Sequence, residues 1–117
     1  MDRLEIATRA ARIGAGVLLS HWQQLGREHA DLKSRNDWVS QADRESEAAI
    51  VRFLHQTCPD DACIGEEGGR TTAGSRSEAR RTWIIDPLDG TSNYLQHFPF
   101  WSVSIALRDG DETVVGV

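Results

Sequence analysis

The sequence predicts an α+β fold in which two long amphipathic helices come first and four short strands follow. Two observations support this order. Apolar residues recur every three or four positions over two segments of the first half, which is the helical period. The second half has short apolar runs and one segment that alternates between apolar and polar residues, which is the strand period. A chain of 117 residues is in the size range of one domain with one core.

The helices are predicted over residues 3–26 and 41–56. In the first, the apolar stripe steps by three or four residues: Leu4, Ala7, Ala11, Gly14, Leu18, Trp22 and Leu25. Ser40 is expected to cap the second helix, with Asp43 as an acid in its first turn. The polar residues 27–37 are expected to connect the two helices.

Strands are predicted over residues 62–64, 82–86, 100–108 and 113–117. Asp109-Gly110 is a typical hairpin turn between the last two strands. Gly68–Arg81 is rich in Gly, Ser, Thr and Arg, so we expect this stretch to be mobile. For its Arg-rich part, Arg70–Arg81, a flexible connection is the first interpretation and a phosphate-steering patch the second. The last predicted strand runs to Val117 without a turn or polar tail, which favours a truncated chain.

Composition excludes several classes of protein. A net charge of −5 argues against a nucleic-acid backbone as the main partner. The longest uninterrupted run of apolar residues and glycine, Ile13–Leu19, is too short to span a membrane, and the N-terminus lacks the pattern of a secretory signal. Cys58 and Cys63 show no zinc-site spacing, which favours two reduced thiols in a cytoplasmic protein.

Acidic residues follow two of the predicted strands at the point where each strand ends. Glu66 and Glu67 come after the first strand, and Asp86 and Asp89 come after the second. Neighbouring strands could bring these acids together, and clustered carboxylates are stabilised by a hard divalent cation such as Mg²⁺. Taken separately, each group has a simpler interpretation: a solvated loop for the glutamates and a surface turn for Asp-Pro-Leu-Asp-Gly.

The segment from Asp86 to Thr91 suits a metal-assisted phosphate chemistry. Pro87 fixes φ, so the chain is expected to turn out of the strand and leave the Leu88 carbonyl free to ligate. Gly90 allows a close approach of the backbone to a ligand, and a helix start at Gly90-Thr91-Ser92 would present N–H groups to a phosphate. Hydrolysis by a metal-activated water would follow from this arrangement.

Three segments in the same order resemble motifs of the inositol monophosphatase family, whose members are Mg²⁺-dependent, Li⁺-sensitive phosphatases. Residues 83–94, W-I-I-D-P-L-D-G-T-S-N-Y, are similar to the signature W-[IV]-[IV]-D-P-[IL]-D-G-T-x-N-[FY]. Residues 64–67 match I-G-E-E, and residues 36–43 resemble N-D-x-V-[ST]-x-x-D. The likeness continues through residues 98–105, F-P-F-W-S-V-S-I, and covers essentially the whole chain.

The resemblance implies two or three bound Mg²⁺ ions, with Li⁺ as an inhibitor. Glu66, Asp86 and the carbonyl of Leu88 would hold the first ion, and Asp86 with Asp89 would hold the second. The substrate would contact residues of the same segments: Glu66, Leu88, Asp89, Gly90 and Thr91.

The resemblance also implies catalytic roles. Glu67 would position the attacking water, and Thr91, paired with Asp43, would orient and activate it. The backbone of Gly90 and Thr91 would bind the substrate phosphate. Lys33 occupies the place of an accessory basic residue on a mobile loop beside the family's site. For Asp43 the alternative is an ordinary acid in the first turn of a helix.

The family fold is a layered α-β-α-β-α sandwich, the inositol monophosphatase and fructose-1,6-bisphosphatase type. This chain would supply its N-terminal helix pair and first strands, while the family's W-D-x-A-A-G segment, whose Asp completes the second metal site, is not in the sequence. We therefore expect the N-terminal portion of a phosphatase that alone binds metal weakly and turns over little. The expected activity is hydrolysis of inositol 1-phosphate or a similar phosphorylated polyol, in the cytoplasm, by a protein that is a homodimer at full length.

Two other functions stay open at this point. One is a related activity within the superfamily, such as a 3′(2′),5′-bisphosphate nucleotidase or another sugar-phosphate phosphatase. The other is a truncated, non-catalytic module that binds a partner chain by strand addition or through its helical face.

Overall fold

The structure, a computed structural model, describes residues 1–28, 32–66, 69–72 and 79–117. Its elements are, in chain order, α1 (Arg3–Glu28), α2 (Leu32–Thr57), β1 (Ala62–Gly65), β2 (Gly69–Thr72), β3 (Arg81–Asp89), α3 (Thr91–Leu95), β4 (Ser102–Asp109) and β5 (Glu112–Gly116). Within this described part of the chain, no helix is long and apolar enough to cross a membrane.

The five strands form one mixed sheet in the order β2-β1-β3-β4-β5. Only the central pair, β1 and β3, is parallel, and the other neighbours are antiparallel. Helices α1 and α2 pack on one face of this sheet. The core between them contains large apolar side chains from both layers: Ile6, Ile50, Leu54, Trp83, Ile85, Ile105 and Leu107.

Helix α2 begins at Leu32, so the expected connection over residues 27–37 and the expected N-cap at Ser40 are wrong. Contacts with α1 explain the early start. The indole N–H of Trp38 donates a hydrogen bond to the carbonyl of His21 (3.0 Å), and Val39 is buried in a second core cluster. These tertiary contacts outweigh the polar composition of the segment. Asp43 consequently lies well inside the helix, which excludes the first-turn interpretation of this acid.

Strand β2 falls within the segment that the sequence predicts to be a flexible connection. It pairs antiparallel with β1, from Gly65 opposite Gly69 to Ala62 opposite Thr72. Four residues of the expected loop are therefore a strand. Residues 73–78 of this segment lie outside the described residues, and its last residue, Arg81, begins β3.

Strand β3 does not end at Asp86 but continues through a bulge to Asp89. Asp86 pairs with Ser104 and Asp89 pairs with Ser102, so β3 has one residue more than β4 over this interval. Pro87 lies inside the bulge, where its missing N–H costs no ladder hydrogen bond. The chain therefore stays in the sheet where the sequence predicted that it would turn out.

A buried ionic cluster anchors the amino ends of β1 and β3. Asp61 is only 4% exposed, and its Oδ2 accepts hydrogen bonds from Arg3 (2.8 Å) and from the indole N–H of Trp83 (3.0 Å). Arg81 lies 3.6 Å from Oδ1 of the same carboxylate. One side chain thus joins α1 to β3 at the start of the parallel pair.

Both cysteines are buried as free thiols next to this cluster. The side chain of Arg3 also donates a hydrogen bond to the Cys58 sulfur at 3.0 Å. Burial raises the pKa of the Cys58 thiol, and it raises the pKa of Cys63 to about 12. The thiols are accordingly poor nucleophiles at neutral pH, as expected for structural cysteines.

Replacing Asp61 with Asn should destabilise the fold, because Arg3 and Arg81 would then face a neutral amide. We expect a loss of about 2 kcal/mol in the free energy of unfolding, less than for a fully buried pair because the side chain of Arg3 is 34% exposed. Urea denaturation measures this change. The exposed neighbour is the matched control: Asp60→Asn should alter stability by less than about 0.5 kcal/mol. Equal effects at the two positions would contradict the anchoring role.

Candidate functional site

Parallel pairing of β1 and β3 brings two of the expected metal ligands to one edge of the sheet. Gly65 pairs with Ile85. The residues that follow them, Glu66 and Asp86, therefore lie at the same height along the two strands. Both acids line one cavity of about 290 Å³, together with apolar residues of β1 and β3 and with Ser104 of β4. Glu66 is exposed and Asp86 is partly buried.

The backbone that follows Asp86 turns back toward the Asp86 side chain. The N–H of Leu88 donates a hydrogen bond to Oδ1 of Asp86 at 3.3 Å. The Leu88 side chain is 2% exposed and packs in the second core cluster, with Leu18 and Tyr94. Leu88 therefore fixes the bulge to the helical layer, while Asp89 is exposed.

Gly90 is required by the path of the chain itself. Its φ is +90°, a region that residues with a Cβ rarely adopt. A Cβ at this position would also lie 2.9 Å from the carbonyl oxygen of Phe100 and 3.2 Å from Cα of Trp101. The close approach at Gly90 is thus made by the segment leading to β4 and not, as the sequence predicts, by a ligand.

Helix α3 begins immediately after this glycine, at the predicted helix start. The Thr91 hydroxyl donates a hydrogen bond to the Leu88 carbonyl at 3.3 Å. This contact joins two residues for which the resemblance implies separate roles. The expected pairing of Thr91 with Asp43 stays a prediction, although α2, which carries Asp43, does contact α3.

The remaining predicted site residues are distributed as follows. Asp43 is buried, with 8% exposure, on the face of α2 that faces the core. Lys33 is exposed in the first turn of α2, not on a loop. Glu67 lies outside the described residues.

One acid near the site was not found from the sequence. Glu47 is 5% exposed, and its carboxylate packs against Gly65 at the end of β1. The signal was present, because Glu47 follows Asp43 by four residues and therefore lies on the same face of a helix.

The donor set at the sheet edge fits a hard divalent cation. Mg²⁺ in proteins is commonly held by one or two carboxylates, with water and phosphate oxygens completing its shell. Glu66 and Asp86 line the same cavity and supply two such carboxylates. Among the described residues, no group of three or more His, Cys, Asp or Glu side chains is arranged to hold a metal ion.

The protein has an α+β fold, and its candidate site consists of oxygen donors at the carboxyl ends of the adjacent strands β1 and β3. A model of the inositol monophosphatase family matches residues 2–117. The chain belongs to the inositol monophosphatase family.

Individual relatives agree with this assignment. The chain is 44% identical over 109 residues to the "Nus factor SuhB" of Xylella fastidiosa, covering 93% of this chain and 38% of the relative. It is 42% identical over 113 residues to the "Fructose-1,6-bisphosphatase/inositol-1-monophosphatase" of Aquifex aeolicus, covering 97% of this chain and 41% of the relative. The chain thus spans about two fifths of the length of these curated relatives.

The structure is also similar to solved members of the family. Superposition on the inositol monophosphatase of Anabaena gives a TM-score of 0.76 at 32% identity, with 97% of this chain and 38% of that chain covered. The expected fold class is therefore confirmed, with this chain corresponding to a portion of the larger family fold.

Tyr94 provides a test of how α3 is held. Its hydroxyl donates a hydrogen bond to the carbonyl of Leu18 (2.7 Å), and burial raises its pKa above the ordinary value. The stability contributed by the neutral phenol is therefore complete below the pKa of about 10 of an unfolded tyrosine and is lost as pH rises above it. Tyr94→Phe should cost about 1–2 kcal/mol at neutral pH, because the buried Leu18 carbonyl loses its donor.

Two measurements check this expectation. Tyr94 is the only tyrosine in the sequence, so tyrosinate absorbance reports on it directly. Titration of the native chain should lag behind titration in urea, and the fall in wild-type stability at alkaline pH should be shallower in Tyr94→Phe. Coincident native and denatured titrations would contradict the buried hydrogen bond.

Proposed function

We propose that this chain supplies part of the active site of a Mg²⁺-dependent phosphomonoesterase, with a phosphorylated polyol such as inositol 1-phosphate as substrate. The observation that carries the proposal is the position of Glu66 and Asp86. They follow paired residues of two parallel strands and line one cavity. Family membership supports phosphatase chemistry over other uses of such a site.

Under this proposal, each residue has a separate task. Glu66, Asp86 and the Leu88 carbonyl hold one Mg²⁺, and Asp86 with Asp89 contributes to a second. When bound, the ions supply positive charge that stabilises the phosphate oxygens and lowers the pKa of a water. The N–H groups of Gly90 and Thr91 bind the phosphate.

Proton transfer is assigned to the residues beside the ligands. Thr91 Oγ1 orients the attacking water, and Asp43 accepts the proton that Thr91 passes on. In the structure the single hydroxyl proton of Thr91 is donated to the Leu88 carbonyl, so this relay requires the hydroxyl to turn toward Asp43 when the site is occupied. Glu67 positions the same water, and Lys33 provides accessory positive charge for the incoming substrate.

A second candidate function is a non-catalytic role in binding a partner. The Xylella fastidiosa relative is named as a Nus factor, which supports a role for this chain in a transcription complex. Strand β5 lies at one edge of the sheet, where strand addition takes place in other proteins. Partner binding of this kind should survive Asp86→Asn and Asp89→Asn, since both changes leave the edge strand β5 and the helical face intact.

The catalytic proposal is tested in a chimera in which residues 1–117 replace the matching N-terminal part of the Aquifex aeolicus relative. We expect Mg²⁺-dependent release of phosphate from inositol 1-phosphate. Asp86→Asn should reduce turnover about 100-fold or more, because it removes charge from the proposed metal site. Asp111→Asn, in the exposed turn before β5, is the matched control and should retain activity.

The result separates the two candidate functions. A folded chimera whose activity is unaffected by Asp86→Asn would contradict the catalytic proposal. The relative supplies the rest of the substrate pocket, so the chimera reports on the catalytic residues of this chain and not on its substrate preference.

A further inference from the structure

Glu47 is a buried carboxylate that none of the proposed catalytic roles uses. It is 5% exposed, on the core-facing side of α2, one helical turn after Asp43. Burying a charged carboxylate is costly, and an apolar side chain would fill the same space without that cost. Packing of α2 on the sheet therefore does not by itself explain an acid at this position.

The location of Glu47 connects it to the proposed metal site. A Cβ built on Gly65 would overlap the Glu47 carboxylate, so the absence of a side chain at residue 65 creates the space that this carboxylate fills. Gly65 is the last residue of β1 and directly precedes Glu66. The acid of α2 thus contacts the backbone immediately before a proposed ligand.

Gly65 is also the point where the register of the site is set. It pairs with Ile85, the residue before Asp86, in the final parallel pair of β1 and β3. A small displacement of Gly65 would therefore change the separation of Glu66 from Asp86. Catalytic and metal-binding groups depend on such support, because displacements on the order of 1 Å are enough to impair a site.

We propose that Glu47 is a positioning residue for the Glu66–Asp86 site. Its carboxylate fixes the end of β1 through contact with Gly65 and adds negative charge one residue away from a proposed cation ligand. This inference rests on the proposed function, because the site that Glu47 supports is the proposed Mg²⁺ site.

Two substitutions separate the two contributions of Glu47. Glu47→Gln keeps the shape of the side chain and removes its charge. Gly65→Ala keeps the charge and displaces the carboxylate, and φ at Gly65 lies outside the left-handed region, so alanine is compatible with the backbone. The obstructing atoms belong to the flexible end of a side chain, so the chain should still fold.

Matched controls exist for both changes. Glu45→Gln removes an exposed carboxylate from the same helix, two residues away, where it contacts His21 of α1. Gly16→Ala adds a methyl group where nothing lies within 4 Å. Asp86→Asn is the reference variant that damages the proposed metal site directly.

The experiment is a Mg²⁺ titration of the 117-residue chain, followed by the backbone amide resonances of Glu66 and Asp86, with thermal unfolding measured in parallel. NMR detects saturable binding even when it is weak. We expect Glu47→Gln and Gly65→Ala each to weaken Mg²⁺ binding about fivefold, without a matching loss of melting temperature. Both controls should bind like the wild type.

The outcomes distinguish this inference from the proposed function. If either Glu47→Gln or Gly65→Ala binds Mg²⁺ like the wild type while Asp86→Asn binds more weakly, the positioning role is wrong and the metal site stands. If the wild-type resonances of Glu66 and Asp86 show no saturable change, the metal site fails and the inference fails with it. Weaker binding that only accompanies unfolding would assign Glu47 a structural role and overturn the proposal.

Discussion

The in-register parallel pairing of β1 with β3 is the constraint on which the candidate site depends. A parallel pair sends both chains out at the same edge of a sheet, and pairing of Gly65 with Ile85 places the acids that follow them at one level. A shift of one residue would move every side chain of a strand to the opposite face. It would remove Ile85 from the core and separate Glu66 from Asp86.

Much of the surrounding structure maintains this register from the two ends of the pair. At the amino ends, Asp61 connects α1 to β3 through Arg3 and Trp83. At the carboxyl ends, Leu88 packs against the helical layer, and the Tyr94 hydroxyl donates a hydrogen bond to the backbone of α1. The Asp61 cluster and the candidate site therefore lie at opposite ends of the same strands, and Leu88 and Tyr94 hold the end at which the site lies.

The sequence predicted the parts of this structure that depend on local patterns. The alternating residues after Phe100 have the strand period, and the apolar run at Trp83 is typical of a buried strand. The acids that follow the runs at Ala62 and Trp83 indicated where the site lies. The start of α2 was not predictable in this way, because Trp38 and Val39 are held by contacts with α1 that are distant in the sequence. Strand β2 was not predictable from local sequence either, because its short polar segment becomes a strand through its pairing with β1.

The site shows the same division between local and tertiary information. The sequence of Asp86–Thr91 indicated a helix start, which is present at Thr91, whereas the positive φ of Gly90 follows from the path of the chain toward β4. The bulge at Pro87 depends on the neighbouring strand β4. The spacing of Asp43 and Glu47 shows that the two acids share one face of a helix, but the contact of Glu47 with Gly65 depends on the packing of α2 against β1.

Under the proposed function, Glu66 and Asp86 share one divalent cation. Crystals of the chain soaked in Mn²⁺ test this sharing, because anomalous scattering locates the ion independently of any assay. We expect an anomalous peak between the two carboxylates at the carboxyl ends of β1 and β3. An ordered crystal with both side chains visible and Mn²⁺ bound only elsewhere, for example at the acidic turn between β4 and β5, would contradict it.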